Sequence, residues 1–381
     1  MANTLTDLIP DMIEARDTIS REMIGFIPAV TRDAQVARAA VGQEVLVPVT
    51  REHTAADTTP GVNAPDTGDT TVDNVPVTIS KSRHVPVRFN GEETKGLTNS
   101  GIFSTVMADR FYQAMRTLAN EIENDLWLTA YKASSRAYGT AGTAPFGTAG
   151  DLSDFAGVAK ILDENGCPTT DRQLVLGHSA IANLRGKQSV LFKVNEAGSS
   201  DMLRNGMTDR VQNFALRHSD PVGVHTKGSG ASYLINLASP AIGTTTIPAD
   251  TGSGTILAGD IVTFAGTADK YVANSALSGG SFTIGAPGLV SAETDNDAIT
   301  VGNNYTANVA FSRSAIILAS RAPAAPEGGD MAADVYQMTD PISGLVFEFA
   351  LYKQFMQNVI HVRLAWGQKA IKSAHIATLI G

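Results

Sequence analysis

The residues that come nearest to catalytic chemistry lie in the run Leu-Val-Leu-Gly-His-Ser-Ala-Ile that begins at Leu174. An apolar strand, a Gly-His-Ser turn and a helical pattern follow one another there, as in the G-x-S-x-G turn that exposes a nucleophilic serine. In a serine hydrolase, His218 or His361 would act as the general base to Ser179. However, Ile181 stands where the strained turn requires a small residue. The sequence therefore favours a second interpretation, in which Ser179 is a helix N-cap that accepts a hydrogen bond from a free backbone N–H.

The sequence carries no other set of catalytic or metal-ligating residues. Its seven histidines include no H-E-x-x-H motif and no pair four residues apart. Cys167 is the only cysteine, which excludes Cys-based zinc sites and disulfide scaffolds. The run Gly139–Gly150 lacks the Gly-Lys-Ser/Thr of a phosphate-binding loop, and no further ligand continues the calcium-like start at Asp295. We therefore predict no catalytic residue, no cofactor and no metal, and a protein that is not an enzyme.

A long helix is the element on which the remaining elements are positioned. Apolar residues recur from about Ile102 to Tyr131 at intervals of three or four, and no Pro or Gly interrupts them. A helix of some 30 residues is a rod of roughly 45 Å, far longer than the usual helix of about 11 residues. Its mixed apolar residues suit packing on a sheet better than a uniform coiled-coil seam. Asn99 and Ser100 are the predicted start signals of this spine helix, and we expect it to end near Ser134, Ser135 and Gly139.

Composition excludes several classes of function. The 381 residues suggest two or three domains, and their 43% apolar content is ordinary for a globular protein. Lys and Arg number 29 against 38 Asp and Glu, for a net charge of −9 without a basic cluster. Sequence-specific nucleic-acid binding is not expected, whereas enclosing nucleic acid requires no such cluster. We expect a soluble protein that is intracellular when made, since the sequence shows neither a signal peptide nor a membrane-spanning run.

Residues 1–91 divide into two unusual segments. Residues 1–43 open with a short amphipathic helix, which either docks on its own domain or forms an arm that packs on a neighbouring subunit. In residues 44–91, the strands Glu44–Val49 and Val75–Phe89 alternate apolar and polar residues but contain prolines, which are confined to free-edge strands. We predict a two-stranded ribbon. The polar stretch Thr50–Asn74 between its strands is too long for a buried loop, so the hairpin is predicted to project.

The rest of the chain reads as an interrupted α+β unit. Residues 137–150 form a Gly/Ala/Thr linker, and helices and strands alternate from 151 to 224. Between 225 and 310 there is no Arg, Met or Trp, and short β-rich runs recur about every ten residues. This pattern predicts a small β-sandwich or barrel inserted into the parent domain. The return strand at 311–332 and three further strands, Leu345–Lys353, Val359–Trp366 and Ile376–Ile380, are predicted to complete the sheet of the spine helix.

The order of these elements resembles the major capsid proteins of tailed bacteriophages, which have the Hong-Kong-97-type fold. Two segments strengthen the resemblance, Phe311-Ser-Arg-Ser-Ala-Ile-Ile-Leu-Ala-Ser-Arg321 and Val362-Arg-Leu-Ala-Trp-Gly367, which are similar to the closing strands of such proteins. The insertion is similar to the inserted β-domain of podovirus-type coat proteins. The resemblance implies an α+β fold made of an N-terminal arm (1–43), an extended β-hairpin loop (44–91), a spine helix of the peripheral domain (92–136) and an axial domain (137–224). It further implies an inserted β-domain (225–310), a return strand (311–332) and peripheral-domain strands (333–381).

The resemblance implies a coat subunit that assembles into pentamers and hexamers of an icosahedral head around double-stranded DNA. Scaffolding and portal proteins are the expected partners, with no sequence-specific DNA contact and no membrane. Assembly is expected in the host cytoplasm, and the final location is the virion. A receptor- or carbohydrate-binding role for the β-domain is a further alternative.

A subunit that tiles a shell needs extended elements that reach its neighbours. The arm and the hairpin are such elements, and we predict that the inter-subunit contacts include Leu8, Met12, Ile19, Arg51, His53, Asp57, Asp66, Asp69 and Asp73. Some family members join a hairpin lysine covalently to a neighbouring subunit. No lysine lies between Thr50 and Ser80 here, so no such cross-link is predicted.

Overall fold

The protein is of the mixed α+β class in the computed structural model, which describes residues 22–34, 37–50, 55, 57–58, 60, 73–99, 101, 103–188 and 210–381. Its five described helices are α1 (Phe26–Ala29), α2 (Gly91–Asn99), α3 (Phe103–Lys132), α4 (Ser153–Glu164) and α5 (His178–Lys187). None of the helices in this part of the chain combines the length and the apolar character that crossing a membrane needs.

The strands share two large sheets and one ribbon. In chain order they are β1 (Thr31–Ala34), β2 (Glu44–Val49), β3 (Asp73–Thr78), β4 (Lys81–Asn90), β5 (Arg136–Gly139), β6 (Arg172–Leu176), β7 (Arg210–Val211), β8 (Phe214–His218), β9 (Val224–His225), β10 (Tyr233–Ile235), β11 (Thr246–Asp250), β12 (Ile261–Phe264), β13 (Lys270–Val272), β14 (Ser281–Thr283), β15 (Ala298–Val301), β16 (Tyr305–Ser312), β17 (Ile316–Arg321), β18 (Asp334–Thr339), β19 (Val346–Gln354), β20 (Gln357–Ala370) and β21 (Ile376–Ile380).

The spine helix is α3, and its 30 residues agree closely with the predicted span. Its apolar face lies on a six-stranded sheet, where the rings of Phe111 and Phe349 meet edge to face with centroids 5.4 Å apart. One predicted start signal is wrong, because Asn99 is the last residue of α2, a helix that was not predicted. The chain turns at Gly101, whose φ of 73° favours glycine, before α3 begins.

The six-stranded sheet is organised around β20, the longest strand. β4 pairs along one side of β20, while β19 and β17 pair along different parts of the other side. β18 extends the sheet beyond β19, and β1 extends it beyond β17 in a parallel pairing. The apolar face of this sheet and α3 form the largest hydrophobic core, which includes the fully buried Trp366.

The second sheet joins the predicted α+β unit to the insertion. β16 lies between β21 and β6, and β6 pairs with β8 in parallel. Helices α4 and α5 cover β6 and β21 and enclose a core around Phe155 and Leu174. On its other side β21 pairs with β5, and β5 pairs with β13 of the insertion.

The inserted segment has its own core, but its predicted end is wrong. Strands β10 to β15 enclose a cluster that includes Tyr233, Phe264 and Tyr271. The predicted boundary at Ala310 falls inside β16, which runs unbroken through residues 305–312 as a central strand of the second sheet. Buried strands without Gly or Pro carry no local signal of such a boundary, so tertiary pairing decides it.

The predicted two-stranded ribbon is present, but its second strand ends earlier than predicted. β2 and β3 form a two-stranded sheet, from the pair Glu44–Thr78 to the pair Val49–Asp73. The predicted second strand, Val75–Phe89, is broken after Thr78, and β4 instead pairs with β20. The N–H of Ser80 donates to the carbonyl oxygen of Trp366 at 3.0 Å, so the chain passes here from the ribbon to the edge of β20.

Two further predictions are corrected. Residues 137–150 were expected to form a linker, yet β5 lies within the second sheet. Residues 376–380 form a strand as predicted, but that strand belongs to the second sheet and not to the sheet under the spine helix. β5 and β21 pair with each other in parallel, and a parallel pair has no local turn signal that the sequence could show.

Candidate functional site

The ribbon of β2 and β3 is fixed to the six-stranded sheet at its base. Val45, Val47 and Val77 contribute to a small apolar cluster that also contains Ala365 of β20. A Cβ atom at Gly367 would overlap the carbonyl oxygen of Thr78, so only glycine permits this close crossing. The Nζ of Lys369 also donates to the carbonyl oxygen of Pro76 at 3.0 Å. These contacts fix the base of the ribbon on the six-stranded sheet.

Most of the predicted contact residues lie outside the part of the chain that the structure describes. Of the nine, the structure describes only Asp57, which is exposed, and Asp73, which pairs with Val49 in the last described pair of the ribbon. The other seven lie outside the described residues, and they are Leu8, Met12, Ile19, Arg51, His53, Asp66 and Asp69. Leu46 of β2, which was not predicted, keeps 60% of its surface exposed.

A cluster of exposed apolar side chains lies at one end of the six-stranded sheet. Phe355 and Met356 form the two-residue turn between β19 and β20, and they are 93% and 71% exposed. Met331, 95% exposed, lies just before β18, which pairs with the same end of β19. Sequence reasoning missed this apolar tip. A signal was present, because Phe-Met stands at a turn where Gly, Asn or Asp is usual.

The two outer strands of this sheet, β4 and β18, differ in how far their side chains prevent pairing with another strand. β4 carries Lys81, Arg83, Pro86 and Arg88, and charges and proline are common devices that prevent pairing at a sheet edge. β18 carries a single charged residue, Asp334, and nearly all of its residues are exposed. Within the described residues no strand pairs with its outer side. An edge of this kind is available for pairing with another chain.

The face of this sheet that points away from the spine helix carries an ion-pair network. Arg363 donates to Asp330 at 2.6 Å and to Glu348 at 2.5 Å, and Arg38 donates to the same Glu348 at 2.7 Å. The bond from Arg363, with a second from the Tyr352 hydroxyl, lowers the pKa of Asp330 to about 2. Each acid is met by an arginine, so the network stabilises the sheet and presents no unpaired charge for chemistry.

The N-terminal segment, residues 22–30, is held between the spine helix and the loop that follows β8. Glu123 of α3 is buried, and its carboxylate accepts hydrogen bonds from the N–H groups of Gly25, Phe26 and Ile27 at 2.5, 2.6 and 2.9 Å. The hydroxyl of Ser219 donates to the same carboxylate at 2.6 Å. Burial raises the pKa of Glu123, against the opposing effect of these hydrogen bonds.

The same segment carries an ion pair. Glu22 accepts from Arg116 and, at 2.7 Å, from the side-chain amide of Asn120, both on α3. The bond from Arg116 is the largest cause of a pKa of about 2 at Glu22. Together with Glu123, it holds residues 22–27 against α3.

The Ser179 region does not form the arrangement of a serine hydrolase. Helix α5 begins at His178 after the N-cap Gly177, no side chain caps it, and Ser179 is an exposed residue of its first turn. The predicted N-cap role of Ser179 is therefore wrong, because the helix starts one residue before it. Neither proposed base contacts it: the Nε2 of His218 lies 2.7 Å from the Nδ1 of His178, and His361 stacks on His84. A cavity of about 190 Å³ beside Ser179 is lined mainly by apolar residues and glycines.

A cleft of about 1250 Å³ separates α4 from the insertion, and its charges are balanced. Arg136, nearly fully buried, pairs with Glu164 at 2.6 Å and with Asp269 at 3.5 Å. Lys160 lies 3.5 Å from the same Glu164. Across the described parts of the chain, no group of three or more His, Cys, Asp or Glu side chains is arranged to hold a metal ion.

A buried polar group joins the insertion to the end of the spine helix. The Nε2 of His225 lies 2.8 Å from Asp260, and the Tyr131 hydroxyl lies 3.3 Å from the other ring nitrogen. Burial, together with the charge of Asp260, raises the pKa of Tyr131 to about 12. The group resembles a catalytic triad in composition only, because Asp260 is fully buried and also accepts from the N–H of Gly228. Its role is structural, since it joins the start of the insertion to the end of the spine helix.

Comparison with known proteins identifies the fold. Neither a protein-family model nor a curated protein matches the sequence. Among solved structures, the capsid structure of cyanophage P-SCSP1u matches with a TM-score of 0.50 and 12% identity, over 100% of this chain and 94% of that chain. A structure from Mycobacterium phage Che8 (TM-score 0.46, 12% identity, 100% and 98% covered) and the capsid of a native GTA particle (0.46, 10%, 98% and 94%) are also similar. The chain has the fold of a phage capsid protein, as the sequence predicted.

Proposed function

We propose that this chain is the major capsid protein of a tailed bacteriophage, the subunit that assembles into the icosahedral shell of the head. The observation that carries this proposal is the match along the whole chain to a cyanophage capsid structure. The two share too little sequence for the match to show more than a common fold, so the function needs its own support and its own test.

The surfaces of the subunit support this function. A closed shell is built from heterologous contacts, in which different patches of two copies meet. The ribbon exposes Leu46, the apolar tip exposes Phe355 and Met356, and no described strand pairs with the outer side of β18, so each could contact another copy. Exposed apolar side chains grouped in this way typically mark protein–protein contacts.

The proposed partners follow from the same function. Copies of the chain would form pentamers and hexamers, and scaffolding and portal proteins would assist assembly in the host cytoplasm before the shell becomes part of the virion. The enclosed DNA would be held without sequence-specific contacts, since the chain has a net charge of −9 and no basic cluster.

Assembly of the purified full chain tests the proposal. Light scattering and negative-stain electron microscopy should reveal rings of five and six or closed shells of megadalton mass, alone or with added scaffolding protein. A monomer that persists across protein concentration, salt and added scaffold would show that the chain is not a shell subunit.

A pair of matched variants sharpens the test. Changing Phe355 and Met356 to Ser should leave the melting temperature of the unassembled chain nearly unchanged, because both side chains already face solvent. Shell yield should fall, since each copy would lose an apolar contact. Ile242→Ser serves as the control, because Ile242 is 70% exposed but lies in the insertion. Normal shells from the tip variant would show that the apolar tip makes no contact that assembly requires.

A further inference from the structure

Two histidines meet where the N-terminal segment crosses the body of the subunit. His178, the first residue of α5, and His218, the last residue of β8, face each other with Nδ1 and Nε2 2.7 Å apart. The other nitrogen of His178, Nε2, lies 2.8 Å from a carboxylate oxygen of Asp220. Within the described residues the remaining nitrogen, Nδ1 of His218, is buried and has no hydrogen-bond partner.

The hydrogen-bond partners assign the protons of the neutral pair. The carboxylate of Asp220 can only accept, so the Nε2 of His178 carries a proton and its Nδ1 carries a lone pair. His218 then donates from Nε2 to that lone pair, and its buried Nδ1 is left without a proton. All the observed contacts are satisfied in this state, and the one unpartnered atom is a bare acceptor.

Any additional proton breaks this arrangement. Only one proton fits between the two rings, so a third N–H on the pair must be placed on Nδ1 of His218. That atom is buried and has no acceptor, and an unsatisfied buried donor is costly. The burial of His218, with the neighbouring charges of His178 and Arg185, accordingly lowers the pKa of His218, and Asp220 opposes this only in part.

The loop that carries His218 also holds the N-terminal segment. The N–H of Asp220 donates to the carbonyl oxygen of Met23 at 3.0 Å, and Ser219 donates to Glu123, which binds the N–H groups of the same segment. A Cβ atom at Gly25 would lie 2.8 Å from the carbonyl oxygen of His218, so the two backbones touch. The loop cannot move without disturbing residues 23–27.

We propose that His178 and His218 form an acid-sensitive junction, in which uptake of a proton displaces the loop 218–220 and releases the N-terminal segment from the spine helix. The charged groups around the pair are Asp220, which accepts from His178 and opposes the lowering of the pKa of His218, and Arg185 of α5, which adds to that lowering. From the packed elements, Glu123 of α3 contacts the loop through Ser219, and Glu22 of the segment is already paired with Arg116.

The sign of the effect follows from the direction of the shift. Because the pKa of His218 is lower in the folded chain, the open state takes up a proton first as the pH falls below about 6.5. The junction is therefore fully stable above that pH and weakens on acidification. One linked proton changes the opening equilibrium by about tenfold per pH unit, until the pKa of the closed state is reached.

Amide hydrogen exchange of the unassembled full chain between pH 7.5 and 5.5 tests the junction, independently of shell formation. After correction for intrinsic rates, the protection of amides in residues 23–27 should fall about tenfold per pH unit below about 6.5. His218→Gln keeps a donor toward His178 but cannot take up a proton, so its protection should be independent of pH. His178→Gln, at an exposed position, leaves the buried Nδ1 of His218 in place, so its protection should still fall on acidification.

His361→Gln is the matched control, because the pKa of His361 is also lowered by burial, but its ring contacts His84 and Tyr352 in the six-stranded sheet. This variant should keep the acid response of residues 23–27. The proposal is overturned if the wild-type segment shows the same corrected protection at both pH values. It is equally overturned if His218→Gln responds to acid as the wild type does.

Discussion

At the scale of single residues, Glu123 is unusual because backbone N–H groups, and no lysine, arginine or histidine among the described residues, surround its buried carboxylate. Each of its two oxygens accepts, so the site has no place for a donor. A glutamine in this position would direct its NH₂ group at N–H groups that also donate. The carboxylate is thus required by the direction of the hydrogen bonds as well as by its charge.

We therefore expect Glu123→Gln to lower the free energy of unfolding by about 1–3 kcal/mol, the usual cost of leaving a buried donor unpaired. Glu121→Gln, two residues earlier on the same helix, is the control. Glu121 is about 30% exposed and pairs with Lys81, so its loss should cost less than about 1 kcal/mol. Urea unfolding of the unassembled chain measures both, and equal midpoints for the two variants would contradict the assigned role of Glu123.

A second prediction concerns Asp330 and its dependence on pH. Arg363 and Tyr352 lower its pKa from 3.8 to about 2, so the ionised side chain stabilises the fold above about pH 4, and this contribution is lost as the pH falls toward 2. Asp330→Asn should reduce the unfolding free energy by about 2 kcal/mol at pH 6. The difference from the wild type should shrink steadily below pH 4.

The exposed Asp334→Asn on β18 is the control and should change the stability little at any pH. Unfolding curves recorded at intervals between pH 7 and pH 3 provide the comparison. A constant difference between Asp330→Asn and the wild type over this range would mean that the ion pair with Arg363 does not account for the effect.

At the scale of elements, the ribbon carries the clearest prediction. Its base is packed on β20, while the polar stretch beyond β2 and β3 is long, and long polar loops cost a single chain little to keep or lose. Replacing Ala56–Thr70 with a short Gly-Ser turn should leave the melting temperature of the unassembled chain nearly unchanged. If the ribbon lies across a neighbour, each lattice contact loses roughly 1–2 kcal/mol, a factor of about 5–30 in each pairwise equilibrium.

Shell formation by this variant should then be weakened or abolished, as measured by sedimentation of the assembled fraction. The melting temperature of the same preparation is the internal control for folding. Normal shells from the shortened ribbon would show that the hairpin does not hold the lattice together.

Elements with a periodic local signal could be predicted from sequence, and pairings between distant segments could not. The spine helix and β21 were predicted within one or two residues because apolar periodicity or a short apolar run defines them. The prediction of the sheet to which β21 belongs was wrong, because its partners β5 and β16 come from distant parts of the chain. β18 was missed because an exposed outer strand has little apolar alternation to reveal it.

The same distinction between local signals and long-range contacts applies to the candidate functional site. The ribbon was visible in the prolines and alternation of its strands, whereas the junction of His178 and His218 joins residues 40 positions apart. No spacing rule connects such residues, because their contact is created by the parallel pairing of β6 with β8. The sequence likewise predicted Ser179 as the N-cap of α5, whereas the N-cap is Gly177, two residues earlier.

At the scale of the whole molecule, the position of Lys81 bears on covalent cross-linking between copies. Lys81 lies on β4 within the six-stranded sheet, where its Nζ is 2.8 Å from Asp125 and 3.0 Å from Glu121. Together with the absence of lysine between Thr50 and Ser80, this keeps the nearest lysine off the ribbon. Particles boiled in detergent should therefore run as single chains near 40 kDa on a denaturing gel. A ladder of multimers would contradict the prediction.

The crossing at Gly367 gives the ribbon a mechanical property. Strands of six residues extend about 20 Å from that crossing, so a rotation of about 10° at the base moves their far end by about 3–4 Å. This displacement equals the rise of one residue along a strand, and a slip of one residue turns every side chain to the opposite face. A lattice joined through such ribbons would convert a small tilt of one subunit into a discrete exchange of contacts with the next.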